Sequence, residues 1–465
     1  MKRLNLRKSW NLIGVPDLSF FPNIEEIILS DCVSLVEIYS SSFLDNLNWL
    51  CLDGCTTLRS LVIRCNILQR PSGLVALHGC RNLEKLLISS RTGVVQSCNW
   101  PFYESGVRVF HDKQLLRSND EGGYAILDHG LYSKSITELC WLDISNCESL
   151  RCMPAELLNL KLLRRLSFRG CLKLEELPEI KQTMENLTVL ILDETAIKEL
   201  LPSSLHHLVG LKELSLQSCT RLKTIPSSIG NLSKLIKLDL SDCESLETFP
   251  ELKVTMENLE VLILDKTAIK ELPSSFYNLT GLEELNLRSC TKLKIIPSSI
   301  GNLSKLIKLD LTNCESLETF PELEVTMENL EVLILDKTAI KELPSSFHHF
   351  VGLEELSLRN CTKLKTIPSS IGNLSKLIKL DLTNCESLET FPELEVTMEN
   401  LEVLILDKTA IKQIPSSFHH LAGLEELSLR SCSKLKTIPS CIGNLCSLSK
   451  LDVTNCESLQ SSNFF

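Results

Sequence analysis

The sequence predicts an α/β fold, a solenoid in which short parallel strands alternate with turns and short helices. Three observations lead to this prediction. Residues 353–423 repeat residues 282–352 with seven changes in 71 positions. Within each block a shorter phrase, L-x-x-L-x-L-x-x-C/T, recurs every 23 or 24 residues, starting at Leu353, Leu377, Leu401 and Leu424. The segments between these phrases, such as IPSSIGNLSKL, contain Pro and Gly, which exclude long helices.

The spacing of the leucines explains why the repeats must stack. Leu356 and Leu358 are two residues apart and therefore face the same side of a strand. One repeat cannot enclose these side chains, but adjacent coils can, because their strands pair in parallel and their leucines form continuous columns. Each buried Leu contributes about 1.5–3 kcal/mol. We therefore expect a leucine-rich-repeat solenoid (a horseshoe), with a parallel concave β-sheet and short convex turns or helices.

The repeats divide the chain into three parts. Residues 1–90 hold N-terminal repeats whose strands start near Met1, Ile24, Leu47 and Ser72. Residues 91–138 lack the pattern and are either irregular repeats or an inserted loop. Residues 139–465 hold the regular repeats, including the 71-residue triple-repeat blocks.

Composition excludes several classes of partner. The 465 residues carry a net charge of -11 with a pI of about 5.5, which disfavours electrostatic binding to nucleic acid or an anionic membrane. No run of 18 apolar residues predicts a transmembrane helix. The start, MKRLNLRKSW, has no apolar core of signal-peptide length and instead matches a repeat strand.

Most of the twenty cysteines are explained by the repeat. Thirteen occupy the ninth place of the phrase, where four repeats have Thr instead. A place that accepts Cys or Thr calls for a small buried group that hydrogen-bonds the backbone, and it predicts neither a cofactor nor a bound metal. A disulfide or zinc between neighbouring coils, as from Cys361 to Cys385, remains geometrically open. Free buried thiols favour a reducing compartment, so we expect a cytoplasmic location, with the nucleus possible.

The remaining strand positions point outward onto the concave face. Many of them carry charges that lie opposite each other in register, and exposed pairs of this kind contribute about 0–1 kcal/mol each. They predict a self-neutralising face. The pairs are Glu213 with Lys237, Glu284 with Lys308, Glu355 with Lys379, Asp265 with Arg288, Asp336 with Arg359, and Asp407 with Arg430.

Apolar and aromatic residues interrupt this charged face. A Val and an Ile occur together on every third strand, about 14 Å apart, and two Trp lie at outward positions. Aromatic and Arg side chains are common anchors of protein interfaces, although β-branched residues also simply suit a strand. The predicted protein-binding residues are Trp49, Trp141, Val261, Ile263, Arg288, Val332, Ile334, Arg359, Val403, Ile405 and Arg430.

Signals for catalysis are missing from the sequence, so we predict that the chain is not an enzyme. It has no G-x-x-x-x-G-K-[ST] loop, no H-E-x-x-H and no G-x-S-x-G. The histidine pairs 348–349 and 419–420 lie three coils apart in convex turns and are interpreted as surface residues. The Asn-x-Ser/Thr triplets mostly repeat the GNLSKL turn and predict no glycan.

Two recurring phrases resemble a known family. L-x-x-T-A-I-K-E-L-P-S-S, at 264–275 and 335–346, alternates with C-x-x-L-x-x-L/I-P-x-x-I-x-N-L. These phrases resemble the leucine-rich-repeat region of plant intracellular nucleotide-binding immune receptors, especially the class with an N-terminal Toll/interleukin-receptor domain. The resemblance implies recognition of a pathogen effector or a guarded host protein, in plant defence signalling. It also implies contact with a nucleotide-binding domain, whose phosphate-binding loop this chain lacks.

Two other functions fit the repeats. One is a scaffold or substrate adaptor, for example one associated with a ubiquitin ligase. The other is a secreted receptor ectodomain.

Overall fold

The structure, a computed structural model, describes residues 1–65, 163–177 and 179–460. It also describes short segments at 74–77, 79–82, 85–89, 108–109, 141–143, 145–146 and 148. The chain divides into two compact units, Met1–Lys237 and Leu238–Phe465. The predicted solenoid of parallel strands is confirmed. Of residues 91–138, only 108–109 belong to the described part, so the prediction for that segment stays a prediction.

In the first unit, short strands pair in parallel, each with the next one of the same sheet. Three residues form each strand because the turn that follows begins immediately after the alternating leucines. The strands are β1 (Arg3–Asn5), β2 (Glu26–Ile28), β4 (Trp49–Cys51), β6 (Leu74–Ala76), β9 (Trp141–Asp143), β10 (Arg165–Ser167), β11 (Val189–Ile191) and β12 (Glu213–Ser215).

A second parallel sheet lies in the first unit and was not predicted. It is built from β3 (Glu37–Leu44), β5 (Ser60–Cys65), β7 (Lys85–Ser89) and β8 (Arg108–Val109). In β5, Leu61, Ile63 and Cys65 are buried while the residues between them are partly exposed. This alternation is the sequence signal that indicates a strand with one buried face.

The second unit continues with the same type of strand, and the boundary between the units falls inside β13 (Lys237–Asp239). Its nine further strands pair in chain order and in parallel. They are β14 (Val261–Ile263), β15 (Glu284–Asn286), β16 (Lys308–Asp310), β17 (Val332–Ile334), β18 (Glu355–Ser357), β19 (Lys379–Asp381), β20 (Val403–Ile405), β21 (Glu426–Ser428) and β22 (Lys450–Asp452).

The helices of the described residues are short, as the Pro and Gly content predicts. One four-residue α-helix, α1 (Pro202–Leu205), occurs in the first unit. The others are 3₁₀ segments, and most follow a Pro that fixes the entry into the turn. They span Leu18–Phe20, Ser227–Asn231, Ser274–Asn278, Ser298–Asn302, Ser345–His349, Ser369–Asn373, Ser416–His420 and Ser440–Asn444. None of the described helices is long and apolar enough to cross a membrane.

The second serine of the P-S-S phrase ties neighbouring coils together. Ser346 accepts a hydrogen bond from the backbone N–H of Leu323 at its Oγ (2.8 Å), and Ser275 and Ser417 do the same in the other blocks. Because the Leu323 amide would otherwise be buried without an acceptor, the phrase serves the fold.

Leucine columns and phenylalanine contacts fill the interior. Leu353, Leu356 and Leu358 are fully buried, as are their equivalents in the neighbouring coils. Phe347 and Phe350 meet edge to face with ring centroids 4.8 Å apart, and Phe320 packs against both. Such pairs contribute about 0.5–1.5 kcal/mol beyond their buried area.

The ninth-place residues form a ladder of hydrogen bonds. Ten of the described cysteines donate from Sγ to the backbone carbonyl of the sixth-place residue in the preceding coil, as Cys361 does to Leu335 (3.1 Å). Thr338 donates from Oγ1 to the same Leu335 carbonyl, 2.8 Å away, and its Oγ1 lies 3.3 Å from Cys361 Sγ. The predicted role of Cys and Thr at this place is confirmed.

The eighth place of the phrase has a left-handed backbone throughout the described coils. Gly occupies it at three positions, but most coils place a residue with a side chain there, such as Lys337 (φ 56°) or Asn360 (φ 60°). The conformation lets most eighth-place N–H groups of the described coils reach the next coil, as from Lys337 to the Arg359 carbonyl (2.7 Å). Cross-coil hydrogen bonding therefore offsets a backbone conformation that side chains disfavour.

Candidate protein-interaction surface

The strands of each unit expose one face, which we call the sheet face. It consists of the first and third residue of every three-residue strand. In β17, Leu333 is fully buried while Val332 and Ile334 on either side remain partly exposed. This follows from the two-residue period of a strand, which sends alternate side chains to opposite sides.

Apolar pairs recur on this face at every third strand, as predicted. Val261 with Ile263, Val332 with Ile334, and Val403 with Ile405 are all partly exposed in the second unit. In the first unit, Val189 and Ile191 show the same pattern.

Charged residues border each apolar pair. The register places Val332 between Lys308 and Glu355 on the adjacent strands. Ile334 lies between Asp310 and Ser357. Each apolar spot therefore has a basic and an acidic neighbour, a combination that suits an amphipathic partner surface.

The predicted Lys–Glu pairs form in the second unit. Lys308 Nζ lies 3.0 Å from Glu284 Oε1, and Lys379 Nζ lies 2.8 Å from Glu355 Oε1. The hydrogen bond from Lys308 lowers the pKa of Glu284 below its usual value. In the first unit, Ile236 and Lys237 donate their backbone N–H groups to the Lys212 carbonyl, which is the predicted register. Glu213 and Lys237 are nevertheless not among the ion pairs of the described residues.

Arg288 and Arg359 form side-chain ion pairs with aspartates other than the predicted ones. Arg288 and Arg359 direct Nε to Asp310 and Asp381 on the following strand, at 2.6 Å in both cases. The predicted partners, Asp265 and Asp336, instead accept the arginine backbone N–H, at 2.8 and 2.9 Å. Two of the three predicted Arg–Asp side-chain pairs are therefore wrong.

Burial explains these partners. The side chains of Asp310 and Asp381 are only 1% and 2% exposed. Burying a carboxylate costs free energy, and a paired arginine offsets that cost. The pKa of Arg359 is raised, chiefly by its hydrogen bond to Asp381.

In the last block the predicted ion pair of Asp407 with Arg430 is confirmed, with 2.8 Å between Arg430 Nε and Asp407 Oδ2. There the equivalent aspartate, Asp452, keeps 23% exposure. Asp452 lies 3.8 Å from Arg430 Nε, so the guanidinium stays close to both carboxylates.

Sequence reasoning assigned no role to these buried aspartates. Asp310 Oδ1 accepts hydrogen bonds from the backbone N–H and the Oγ1 of Thr312, at 3.0 and 2.6 Å, while its Oδ2 accepts from Arg288. The sequence D-L-T at the strand end is a signal that could have identified them, because a Thr two residues after an Asp can donate a hydrogen bond to its carboxylate.

Asp265 and Asp336 have a different environment. Burial raises the pKa of both carboxyls above the usual value. Ser357 Oγ donates to Asp336 Oδ1 at 2.6 Å, whereas the equivalent of Ser357 in the preceding block is Asn286. Asn286 donates from Nδ2 to Glu284, and its Oδ1 is buried without a hydrogen-bond partner.

The two tryptophans differ in what the structure describes. Trp49 in β4 is partly exposed, lies in register with Glu26 and Leu74, and has a buried Nε1 without a hydrogen-bond partner. Trp141 starts β9, paired with Leu74 and Arg165. The side chain of Trp141 lies outside the described residues, so its predicted role in binding stays a prediction.

The histidine pairs lie in the 3₁₀ segments. The rings of His348 and His349 stack with centroids 4.3 Å apart, and Nδ1 of His348 lies 3.1 Å from the Ser345 carbonyl. Groups of three or more potential metal ligands do not occur among the residues the structure describes. The sixteen cysteines of the described segments are not joined by disulfide bonds.

Comparison with known proteins matches both the repeats and larger stretches of the chain. Residues 231–309 match the model of leucine-rich repeats from RPS4B-like disease resistance proteins. Residues 324–462 match the model of leucine-rich repeats from RPS2-like plant disease resistance proteins.

Curated relatives give a consistent result. Disease resistance-like protein DSC1 of Arabidopsis thaliana is 34% identical over 276 residues, 57% of this chain and 22% of that protein. SUPPRESSOR OF npr1-1, CONSTITUTIVE 1 of the same plant is 33% identical over 367 residues, 74% and 23% of the two chains. TMV resistance protein N of Nicotiana glutinosa is 30% identical over 300 residues, 63% and 24%. The chain thus spans about a quarter of these relatives or less.

Proposed function

The chain carries leucine-rich repeats of the plant disease resistance type, and from that premise we propose that it recognises a protein in plant defence signalling. Its ligand is a pathogen effector or a host protein that an effector targets. The role is binding rather than catalysis, and the place is the cytoplasm, with the nucleus possible. The similarity to plant disease resistance proteins supports the role in defence.

One observation carries the proposal. Partly exposed Val and Ile side chains recur on the sheet face of the second unit at every third strand. On the strands beside and beyond Val332 and Ile334, Lys308 pairs with Glu284 and Lys379 pairs with Glu355. An apolar centre with polar surroundings is the composition of protein-binding surfaces.

The thiol ladder supports the proposed compartment. Sγ of Cys361 and of nine equivalent cysteines donates a hydrogen bond to a carbonyl, which requires a reduced, protonated thiol. Burial raises the pKa of Cys361 to about 11, so the thiol stays protonated at neutral pH.

Binding by the purified full chain tests the function. Proximity labelling in infected plant tissue would supply candidate partners, and the affinity of each would then be measured with purified proteins. We expect Ile334→Arg to weaken binding at least tenfold, because it places an unpaired charge in the apolar spot; tenfold is about 1.4 kcal/mol. Val325→Arg is the matched control, since Val325 is an equally simple apolar residue, 47% exposed, outside the strands.

The outcome separates the candidate surfaces. Loss of binding in Ile334→Arg but not in Val325→Arg supports recognition by the sheet face. Unchanged binding in Ile334→Arg, with the fold verified by circular dichroism, would remove the sheet face as the recognition surface. A set of ubiquitin-ligase components as the directly binding partners would favour the adaptor function instead.

A further inference from the structure

We infer that the sheet face of the second unit binds an extended, basic polypeptide segment that carries an apolar side chain at every fourth residue. This inference rests on the proposed protein-binding function and specifies the chemistry of the partner. It follows from the period of the face, from an acidic row along one edge of it, and from the recurrence of both in three successive blocks of three strands, β14–β16, β17–β19 and β20–β22.

The period of the face matches an extended chain. Adjacent strands lie about 4.8 Å apart, so apolar pairs on every third strand recur about every 14 Å. Four residues of an extended chain span about 13 Å. A segment lying across the strands can therefore place one apolar side chain on Val261 and Ile263, the next on Val332 and Ile334, and the next on the third pair.

An acidic row lies beside the apolar pairs. It consists of the residue immediately before each strand, and two of every three strands have Glu at that place. These glutamates are exposed, and none forms an ion pair in the described part of the chain. They are Glu260, Glu283, Glu331, Glu354, Glu402 and Glu425. On the third strand of the first two blocks the place is taken by Ile307 and Ile378, which are 38% and 37% exposed.

The lysines and arginines near this row do not neutralise it. Lys308 and Arg288 are paired with carboxylates of the sheet face itself. Lys337 lies six residues beyond Glu331, past the end of β17 and in the left-handed turn. One exposed lysine per block, Lys305 in the first and its equivalent Lys376 in the second, precedes the row, against two glutamates.

The surplus charge specifies the partner. Two adjacent glutamates without cations occur in each block, at the same period as the apolar pairs. A segment with Lys or Arg between its apolar residues would meet both patterns at once, whereas an acidic segment would be repelled. Because the three blocks present the same groups, successive anchors of one segment bind at high effective concentration.

Synthetic peptides test the inference directly on the full chain. The probe is a fluorescein-labelled peptide of about thirteen residues with Leu at every fourth position and Lys and Ser between. Its control has the same composition with Leu at every third position. Fluorescence anisotropy should show about tenfold tighter binding of the four-residue spacing. Equal affinity for the two peptides would overturn the inference.

Charge variants test the acidic row with a matched control. Glu331→Gln combined with Glu354→Gln removes two charges from the row, and we expect it to weaken the probe by about fivefold at low salt. Glu324→Gln combined with Glu395→Gln removes two exposed charges outside the strands and should change affinity less than about twofold. Equal losses in both double variants would show attraction to net charge alone and would overturn the inference.

Failure of the inference and failure of the proposed function give different results. If Ile334→Arg abolishes binding of a natural partner while the peptides show no spacing preference, the function stands and the inference is wrong. If Ile334→Arg leaves the natural partner bound, the chain still binds a protein, but it does so through another surface, and the inference about the sheet face is wrong.

Discussion

Arg359 donates a hydrogen bond from Nε to Oδ2 of Asp381 across two adjacent strands, over 2.6 Å, and the Asp381 side chain is 2% exposed. The relationship recurs one block earlier between Arg288 and Asp310. A buried carboxylate is stable only with compensating charge and hydrogen bonds. Arg288 and Arg359 thus have a structural role in addition to any contact with a partner.

Removing the guanidinium should therefore destabilise the surrounding coils. We expect Arg359→Ala to lower the local free energy of opening by about 2 kcal/mol, since Asp381 is left buried without its cation. Lys379→Ala, which breaks the more exposed pair with Glu355, should cost about 1 kcal/mol or less. Hydrogen exchange of the amides in β18 and β19 measures both. Equal protection in the two variants would contradict the assigned role of Arg359.

The two aspartates near Arg359 should respond oppositely to neutralisation. Burial raises the pKa of Asp336 in the folded protein, so its carboxyl keeps a proton to higher pH there than in the unfolded chain. As pH rises through the folded pKa, a buried carboxylate forms and the folded protein loses stability. Asp336→Asn should accordingly be neutral or stabilising at pH 7, with an advantage over wild type that shrinks on acidification. Asp381→Asn should destabilise. Urea unfolding of both variants between pH 4 and 7 tests the pair, and a stability loss for Asp336→Asn as large as that for Asp381→Asn would refute it.

Gly352 marks a close approach of two coils. A Cβ added there would lie 2.2 Å from the backbone carbonyl oxygen of Glu328, and neither backbone can move without disturbing the strands beside it. We expect Gly352→Ala to destabilise the chain by about 3 kcal/mol. Gly443→Ala is the control, because a Cβ at Gly443 meets nothing within 4 Å. Thermal unfolding compares them, and similar melting temperatures would show that the coils are less tightly packed than described.

The thiol ladder predicts a stability loss in alkaline solution. Burial raises the pKa of Cys219 and Cys361 to about 11, from an ordinary value of 9.0. The folded thiols keep their protons above pH 9 while the unfolded thiols lose theirs, so this contribution is complete below pH 9 and disappears as pH approaches 11. Denaturant unfolding across this pH range should show that the free energy of unfolding declines less steeply for Cys361→Thr than for wild type.

Alkylation at pH 8 checks the same ladder independently. Exposed Cys446 should react with iodoacetamide first, and Cys361 only after unfolding, as mass spectrometry of digests would show. Rapid native-state labelling of Cys361 would contradict its burial.

The left-handed eighth place offers a stabilising change. Lys408 has φ of 55°, a conformation that costs a side-chain residue about 1 kcal/mol more than Gly. Lys408→Gly should therefore raise the free energy of unfolding by roughly 0.5–1 kcal/mol. Lys376→Gly, in a turn without positive φ, should be neutral or destabilising. A gain in both variants would mean that removal of lysine charge, rather than backbone strain, is responsible.

The repeat phrase was sufficient to predict the strands, the buried leucines and the ladder of Cys and Thr. Leu356 and Leu358 must face inward wherever the two-residue period holds, and Cys361 must be small because it sits between coils. The second sheet of the first unit escaped prediction, because β3 and β5 lie outside the repeating phrase. Their alternation of buried and exposed residues is a weaker signal than a pattern repeated in many coils.

The candidate surface was predictable only in part. The places of Val332 and Ile334 on the sheet face followed from strand alternation, and the pairing of Lys379 with Glu355 followed from register. The partner of Arg359 did not, since Asp336 and Asp381 lie in the coils on either side of it and the sequence cannot rank them. The two carboxylates differ in how far they are buried.

What the sequence by itself determined is the period: which side chains point inward, how coils stack, and which residues share a row. These depend on local backbone geometry that repeats identically in each coil. What only the tertiary structure decided is the electrostatic arrangement. Asp381 is almost fully removed from water, so desolvation makes it the carboxylate that takes the guanidinium of Arg359, while Asp336 keeps a backbone N–H. Solvent access depends on packing across several coils, and no single strand encodes it.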